Sequence, residues 1–366
     1  MRVNFVLPPV GMSGGIRVIA IHAQWLADHG HQVTLVGPPQ PRPSRKRQLK
    51  LLLTGQAQPP RVLPSHLDGR GLDVRTLPSY RPVTDSDLPD ADVVIATWWE
   101  TAEWVAKLSP SKGAKCYFIQ HHEVFDWLPA ERVRATYRLP LHKIVIARWL
   151  ALLMDSEYGD AHVDLVPNSV DHQQFFAAPR SKQPKPTVGF IYSSTSFKGS
   201  DIALRAIAKL RTLHPELEVV SFGGEPCPES APSNLRYWRH PPQAQLREIY
   251  ASADVWLSTS TSEGFNLPAM EAMACRTPLV STRTGWPEES LRDGINGWCV
   301  AVDDAEAVAQ AAHRVLSLSP TDWAAMSEAA HATVKDSQCD QSSRQFETAL
   351  HNAMANARRA TSPCPA

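Results

Sequence analysis

The feature that most restricts the fold is an alternation of short apolar runs with helical patterns, present in both halves of the chain. Val3 to Leu7 is apolar, a turn containing Gly11, Gly14 and Gly15 follows, and Ile16, Ile19, Ala23 and Ala27 then recur at helical spacing. Gly30 stops the helix and Gln32 to Val36 supplies a second strand. A strand, a helix and a strand in succession predict a parallel sheet, because the crossover helix returns the chain to the end where it began. Asp92 to Thr97, Cys116 to Gln120 and Lys143 to Ala147 read as further strands. The stretch Ala177 to Pro186 (AAPRSKQPKP) carries no core-forming residues and reads as an interdomain linker.

Beyond it the alternation restarts. Thr187 to Tyr192 reads as a strand, and Ile202, Ala206, Ile207 and Leu210 mark a helix. Leu217 to Phe222 (strand), Gln243 to Ala251 (helix), Asp254 to Ser258 (strand), Pro268 to Ala274 (helix) and Pro278 to Ser281 (strand) follow, and three helical patterns run from Asp303. The expected fold class is α/β in two domains, residues 1–176 and 187–366, with the last helix packing back on the first domain.

Composition excludes several functions. Lys plus Arg and Asp plus Glu both number 37 in 366 residues, so no global field holds a polyanion, and nucleic acid is not an expected partner. The six cysteines, Cys116, Cys227, Cys275, Cys299, Cys339 and Cys364, show no metal-ligand spacing and read as thiols of a reducing compartment. Pro8 and Pro9 interrupt the first apolar run well short of a signal-peptide core, and Arg148 interrupts Ile144 to Met154, so a cytoplasmic protein is expected. One segment departs from neutrality: His29 to Leu67 has no acidic residue, while Arg42, Arg45, Lys46, Arg47 and Lys50 cluster beside leucines. It reads either as a peripheral contact with an anionic membrane face or as a solvated loop, and its seven prolines from Pro38 to Pro64 argue against a long amphipathic helix.

Chemistry concentrates in Ser258 to Glu271, STSTSEGFNLPAME. A strand ends, Glu263 and Gly264 lie in a loop, and Pro268 stands where a helix begins. The amides of Gly264, Phe265 and Asn266 would then sit at a helix N-terminus, where an anion is favoured, and Gly264 lets backbone approach a ligand. Glu263 and Glu271 would face that ligand from the loop and the first helical turn. On spacing alone the two glutamates could equally just complement the helix dipole.

The run LREIYASADVWLSTSTSEGFNLPAMEAMACRTPLVSTRTGWPEESLRDGINGWCV, from Leu246 to Val300, resembles the retaining, nucleotide-sugar-dependent glycosyltransferases of the GT-B fold, in particular family 4. It carries their E-x7-E motif, an EAMA-x-x-x-P-V step and a G-x-x-E loop. Weaker matches lie at GGIRVIAIHAQWLADHGHQVTLV and LVPNSVDHQQF. The resemblance implies two Rossmann-like domains facing across a cleft, and transfer of a sugar from a nucleoside-diphosphate donor to a saccharide or lipid-linked acceptor, in glycan, polysaccharide or glycolipid synthesis.

It also implies roles. Glu263 would act at the sugar and Glu271 at the nucleotide ribose. Lys198 would grip the diphosphate, with Gly264, Phe265, Asn266 and Leu267 alongside. Gly14 and Gly15 would form the glycine loop of the first domain, although a βα turn often needs glycine for geometry alone. His121, of the pair His121 and His122 after a strand, would reach the sugar. The family often has an Arg where this chain has Ser193, so Arg148 or Arg239 would have to replace it, or Lys198 and the amides act alone. Trp98 and Trp99 read either as an acceptor platform or as core. No metal or other cofactor is implied, and Asp85-Ser86-Asp87 lies in a proline-rich loop. A dinucleotide-dependent dehydrogenase is disfavoured, because the glycines do not space as G-x-G-x-x-G and no acid closes the second strand. A non-catalytic glycan-binding scaffold is the alternative.

Overall fold

The computed structural model describes residues 1–40 and 64–361. The basic cluster Arg42, Arg45, Lys46, Arg47 and Lys50, and Cys364, lie outside the described residues. The chain forms two compact units. The first comprises residues 1–146, 150–166 and the stretch from Ser343 on; the second comprises 147–149 and 167–342.

The first unit contains a parallel sheet of β1 (Arg2–Val6), β2 (Gln32–Gly37), β3 (Asp73–Thr76), β4 (Val93–Ala96), β5 (Ala114–Ile119), β6 (His142–Val145) and β7 (Asp164–Leu165), in the order β3-β2-β1-β4-β5-β6-β7. The central strands are buried on both faces, as a parallel sheet covered by helices requires: Val3, Phe5 and Val6 are at most 1% exposed, and Val3 is paired with Val33 on one side and Val93 on the other. The helix Gly14–Asp28 starts at Ser13, whose hydroxyl accepts the Ile16 amide, and the chain turns away at Gly30 with a φ of 84°.

The last helix, Cys339–Thr361, enters the first unit at Ser343. Its Phe346 is fully buried, stacked on Phe5 at 6.1 Å and on the His22 ring at 4.5 Å, with Phe118 edge-on at 5.0 Å. His22 Nδ1 meets Ser343 Oγ at 2.9 Å, and burial pushes the His22 pKa down to about 3.

The second unit holds β8 (Thr187–Tyr192), β9 (Glu218–Gly223), β10 (Leu235–Arg239), β11 (Val255–Ser258), β12 (Leu279–Thr282) and β13 (Gly297–Val300), all parallel, in the order β10-β9-β8-β11-β12-β13. The helices Ser200–Leu213 and Ala305–Leu316 pack Ile202, Ala206, Leu210, Val308, Ala312 and Val315 into one core with these strands.

The expected linker is corrected. Ala177 to Pro186 belongs to the second unit, which already begins at Pro167. Its cationic residues hold it there through carbonyls: Arg180 donates to Ala253 O and Thr277 Oγ1 and lies over the Trp323 ring, and Lys182 donates to Leu316 O and Leu318 O. The Gln183 amide donates to the buried carboxylate of Asp254. A segment without large apolar residues is thus fastened by hydrogen bonds rather than by a core.

None of the five described cysteines is in a disulfide, and Cys116 and Cys275 are buried. No helix among the described residues is long and apolar enough to cross a membrane.

Two outcomes follow from the clasp around Phe346. Phe346→Ala should cost about 3–5 kcal/mol in denaturant unfolding, because the cavity forms where three rings meet; a loss under 1 kcal/mol would show that the helix is not part of the core. His22 is neutral when folded and protonates when unfolded, so it contributes stability that is lost as pH falls below its unfolded value of about 6.5. From pH 7 to pH 5 that contribution should decline by about 2 kcal/mol, and His22→Gln should show a correspondingly shallower decline. Equal slopes for the two proteins would refute the assignment.

Candidate active site

In the second unit the chain builds outward from β8 to β9 and β10, then returns to the other flank of β8 with β11. That reversal separates the connections leaving the carboxyl ends of β8 and β11, where ligands bind in open α/β sheets. The two loops are joined at several points. The Thr261 amide donates to Phe197 O at 2.8 Å, and Thr259 Oγ1 donates to Gly199 O at 2.7 Å. Gly199 has a φ of 62°, and a β-carbon there would stand 1.9 Å from Thr259 O, so no other residue fits.

This junction sets Lys198 against Glu263. Lys198 Nζ lies 2.7 Å from Glu263 Oε1, and Ser260 Oγ donates to the same oxygen at 2.7 Å. The Glu263 side chain is 10% exposed and that of Lys198 38%, so the carboxylate is largely withdrawn from water while the ammonium remains accessible. The Lys198 ammonium also lies 5.2 Å from the centre of the Phe197 ring. A third loop closes on the pair: Thr282 Oγ1 donates to Ser260 O at 2.5 Å, and Trp286 N donates to Phe265 O at 2.8 Å. Gly285, with a φ of 61°, allows this approach, since a β-carbon would lie 2.8 Å from Phe265 O and 3.1 Å from the Glu263 β-carbon.

Gly264 O accepts the Trp149 indole N–H at 2.8 Å. Asn266 caps the helix Leu267–Ala274 in a left-handed conformation, φ 82°, which its side chain supports by donating to Ser258 Oγ. Gly264, Phe265, Asn266 and Leu267 are therefore brought to one helix start beside Lys198 and Glu263.

The expected place of Glu271 is corrected. The helix begins at Leu267, so Glu271 lies beyond the first turn; it is 4% exposed and accepts the Tyr250 hydroxyl at 2.7 Å. A helix advances about 5.4 Å per turn, so Glu271 lies about one turn along the helix from Leu267. Ser193 serves its own loop: its amide donates to Ser200 Oγ, and its hydroxyl accepts the Thr195 amide. Of the two replacement arginines, Arg239 ends the edge strand β10, whereas Arg148 is exposed and adjacent to Trp149, which holds the glycine loop. Ser260 and Tyr250 escaped the sequence reading. The Ser-x-x-Glu spacing of Ser260 and Glu263 was a usable signal for one, whereas nothing local marks the other.

In the first unit the strand order reverses between β1 and β4. Gly14 and Gly15 are the first residues of the helix Gly14–Asp28, in ordinary helical backbone, and a β-carbon on Gly15 would make normal contact with Gln120 at 3.4 Å. Gln120 precedes His121, so the glycine turn adjoins the residue before the histidine at the sheet's carboxyl end. His121 Nδ1 lies 2.9 Å from His122 O. A carbonyl only accepts, so Nδ1 carries a proton in this contact.

His122 instead pairs with Tyr158 OH at 2.7 Å, and burial lowers its pKa to about 4. Glu123 is buried, accepts the Trp99 amide at 2.9 Å, and has its pKa pushed well up by burial. Trp99 is 4% exposed beneath Arg132 and belongs to the core, while Trp98 is half-buried. Asp87 is bound to Arg81 at 2.6 Å. Among the described residues no group of three or more His, Cys, Asp or Glu is placed to hold a metal ion.

Comparison with known proteins bears on the family and the fold. A family model described as Glycosyltransferase Family 4 matches residues 12–174, and one described as Glycosyl transferases group 1 matches residues 185–318. D-inositol 3-phosphate glycosyltransferase of Mycobacterium sp. (strain KMS) is 33% identical over 192 residues, which is 46% of this chain and 42% of that protein. The protein of the same name from Segniliparus rotundus is 31% identical over 156 residues, 37% of this chain and 35% of its own. The chain thus spans less than half the length of these curated relatives. Among solved structures, Anabaena HepE in complex with UDP-glucose superposes with a TM-score of 0.72 at 14% identity, over 96% of this chain and all of that one. Sucrose-phosphate synthase from Thermosynechococcus elongatus gives 0.71 at 15% identity, over 97% and 100%. At such identities the likeness establishes the fold. With a family model matching each half and two parallel-sheet units of the expected kind, the chain belongs to the family 4-like glycosyltransferases of the GT-B fold.

Proposed function

We propose that the chain transfers a hexosyl or deoxyhexosyl group from a nucleoside-diphosphate sugar to an acceptor hydroxyl, with retention of anomeric configuration, in the synthesis of a glycan, polysaccharide or glycolipid. The observation that carries this reading is the Lys198–Glu263–Ser260 cluster at the carboxyl ends of β8 and β11. Departure of a nucleoside diphosphate builds negative charge, and a fixed ammonium beside a helix start stabilises that charge without reorganising. Lys198 has three N–H donors and commits one to Glu263, so a diphosphate can take the others. As it does, Glu263 loses part of its counter-charge and becomes a stronger acceptor for sugar hydroxyls and for positive charge developing at the anomeric carbon. Glu271, held by Tyr250, suits the paired hydroxyls of a ribose. His121 is assigned to a hydroxyl of the transferred sugar by the family resemblance alone. Retention then proceeds by attack on the face the diphosphate leaves, the leaving group itself taking the acceptor proton. The HepE complex with UDP-glucose supports this donor class.

The second reading, a glycan-binding scaffold without catalysis, draws on Ser193 in place of the family arginine. One set of measurements decides between them. UDP-, GDP-, ADP- and dTDP-linked sugars are screened by thermal shift, where a ligand at 100 times its dissociation constant stabilises by about 2.7 kcal/mol. With the donor so found, Glu263→Gln should lower kcat about 100-fold with little change in donor KM. Lys198→Ala should lower kcat/KM by about the same factor and raise donor KM as well, because it removes ground-state binding too. If the wild-type protein neither hydrolyses nor transfers from any of these donors, and Glu263→Gln changes nothing, the transferase reading fails.

A further inference from the structure

The turn that follows β5 is held by a buried hydroxyl that the transfer chemistry does not use. Tyr137 closes the helix Ala130–Thr136, is fully buried, and stacks on Tyr117 with ring centres 5.8 Å apart and planes at 7°. Its oxygen accepts the Glu123 amide at 2.8 Å and donates to His121 O at 3.3 Å, so the phenol both accepts and donates across the turn. Burial, with Glu123 adding to it, pushes the Tyr137 pKa upward, and the hydroxyl keeps its proton. The Glu123 N–H and the His122 C=O belong to one peptide unit, and in a trans peptide they point in opposite directions. With the N–H directed to Tyr137, the carbonyl is directed away from it, and there it meets His121 Nδ1 at 2.9 Å. The far side of the turn is anchored as well. Glu123, 3% exposed, accepts the Trp99 amide at 2.9 Å, at the start of the helix Trp99–Ala106.

We propose that Tyr137 is a positioning residue for His121: its hydroxyl fixes the peptide between His122 and Glu123, and the carbonyl of that peptide holds the imidazole in one orientation. The inference rests on the transferase reading for what His121 does, and on geometry for how the ring is held. Without the hydroxyl, the Glu123 N–H would be a buried donor lacking its acceptor, and the peptide would rotate toward another one. The carbonyl turns with it, because the peptide unit is planar, and His121 Nδ1 loses that contact. The tautomer of a neutral imidazole follows the hydrogen bond that one ring nitrogen makes, so the proton then redistributes toward Nε2. A packing role alone fits less well. A phenylalanine would fill the same stack on Tyr117, whereas the hydroxyl meets backbone groups at both ends of the turn that carries the histidines.

The test uses the full chain as wild type, Tyr137→Phe, Tyr158→Phe, His121→Ala and the double variant Tyr137→Phe/His121→Ala, with circular dichroism and thermal melting to confirm folding. Ring nitrogens of isotopically labelled histidine are observed by NMR at about pH 9, where ordinary imidazoles are neutral, and the His121 signals are those missing from His121→Ala. Wild type should show His121 protonated at Nδ1, and Tyr137→Phe should shift the population toward Nε2–H. Tyr158→Phe removes a neighbouring hydroxyl that meets the His122 ring instead, and should leave the His121 signals unchanged. In donor hydrolysis, Tyr137→Phe should lower kcat about ten-fold with donor KM within about two-fold of wild type. Adding Tyr137→Phe to His121→Ala should cost nothing further, because the hydroxyl acts through that ring. The proposal is overturned by His121 protonated at Nε2 in wild type, by unchanged His121 signals in Tyr137→Phe, by an equal change in Tyr158→Phe, or by additive losses in the double variant. If wild type hydrolyses none of the UDP-, GDP-, ADP- and dTDP-linked sugars, the transferase reading fails, and the His121 signals alone decide whether Tyr137 positions the ring.

Discussion

A β-carbon on Gly199 would stand 1.9 Å from Thr259 O, so the loop after β8 and the loop after β11 touch backbone to backbone. Everything distinctive about the candidate site depends on that contact. It brings the residue before Gly199, a lysine, within an ion-pair distance of a glutamate 65 positions later. It also leaves the Phe197 carbonyl free to take the Thr261 amide, which fixes the turn that aims Glu263. Gly285 repeats the device on the other side, allowing the loop after β12 to close on Phe265 and Glu263. Two glycines in left-handed backbone thus hold three loops from neighbouring strands together, and the catalytic proposal concerns what those loops enclose.

The electrostatics of the pair clarifies why a lysine tolerates this position. A cation just before the helix Ser200–Leu213 faces the positive end of its dipole, an arrangement that costs a few tenths to about 1 kcal/mol. Glu263 at 2.7 Å offsets the cost, and Lys198 in turn compensates a carboxylate that is only 10% exposed. Neither charge is comfortable alone. The pair is therefore a weak argument for stability and a better one for function, because each member is held ready to exchange its partner for a ligand group of the same sign. Ser260, donating to the same carboxylate oxygen, keeps Glu263 in place while the exchange occurs.

Much of the fold is legible in the sequence because the central strands are buried on both faces and must be continuous apolar runs. Val3 to Val6, Val33 to Val36 and Val188 to Phe190 announce themselves in this way. The strands that escape reading lie toward the edges, where that requirement lapses: β3 (DVRT) is exposed at every position, and β10 (LRYWR) has no fully buried residue. Around the site, Lys198, Gly264 and Glu263 are legible through a motif whose parts lie in loops, and the depth of Glu271 is not. Its burial depends on Tyr250, a residue of a different helix, and no local pattern connects the two. The segment Ala177 to Pro186 misleads for a related reason. Its fastening runs from arginine and lysine side chains to main-chain carbonyls, and carbonyls leave no mark on composition.

The placement of the last helix has a consequence for how the chain acquires its structure. Residues 167–342 of the second unit are continuous in sequence, so nearly all of its core can assemble from one stretch. The first unit cannot complete its core that way. His22 and Ser343 are hydrogen-bonded across a sequence separation of 321, and Phe346 fills the space between Phe5, His22 and Phe118. Closing so long a loop from an unfolded chain is entropically costly and slow. If the second unit folds first, it shortens the effective loop, because compact residues bring Pro167 and Ser342 together: Ser342 Oγ donates to Pro167 O at 2.7 Å. The helix Cys339–Thr361 then leaves the second unit beside the point where the chain enters it, and the apolar face of Phe346 is delivered to the first unit without a long search. In that order of events, burial of a neutral His22 against that phenylalanine would be the last part of the first core to close.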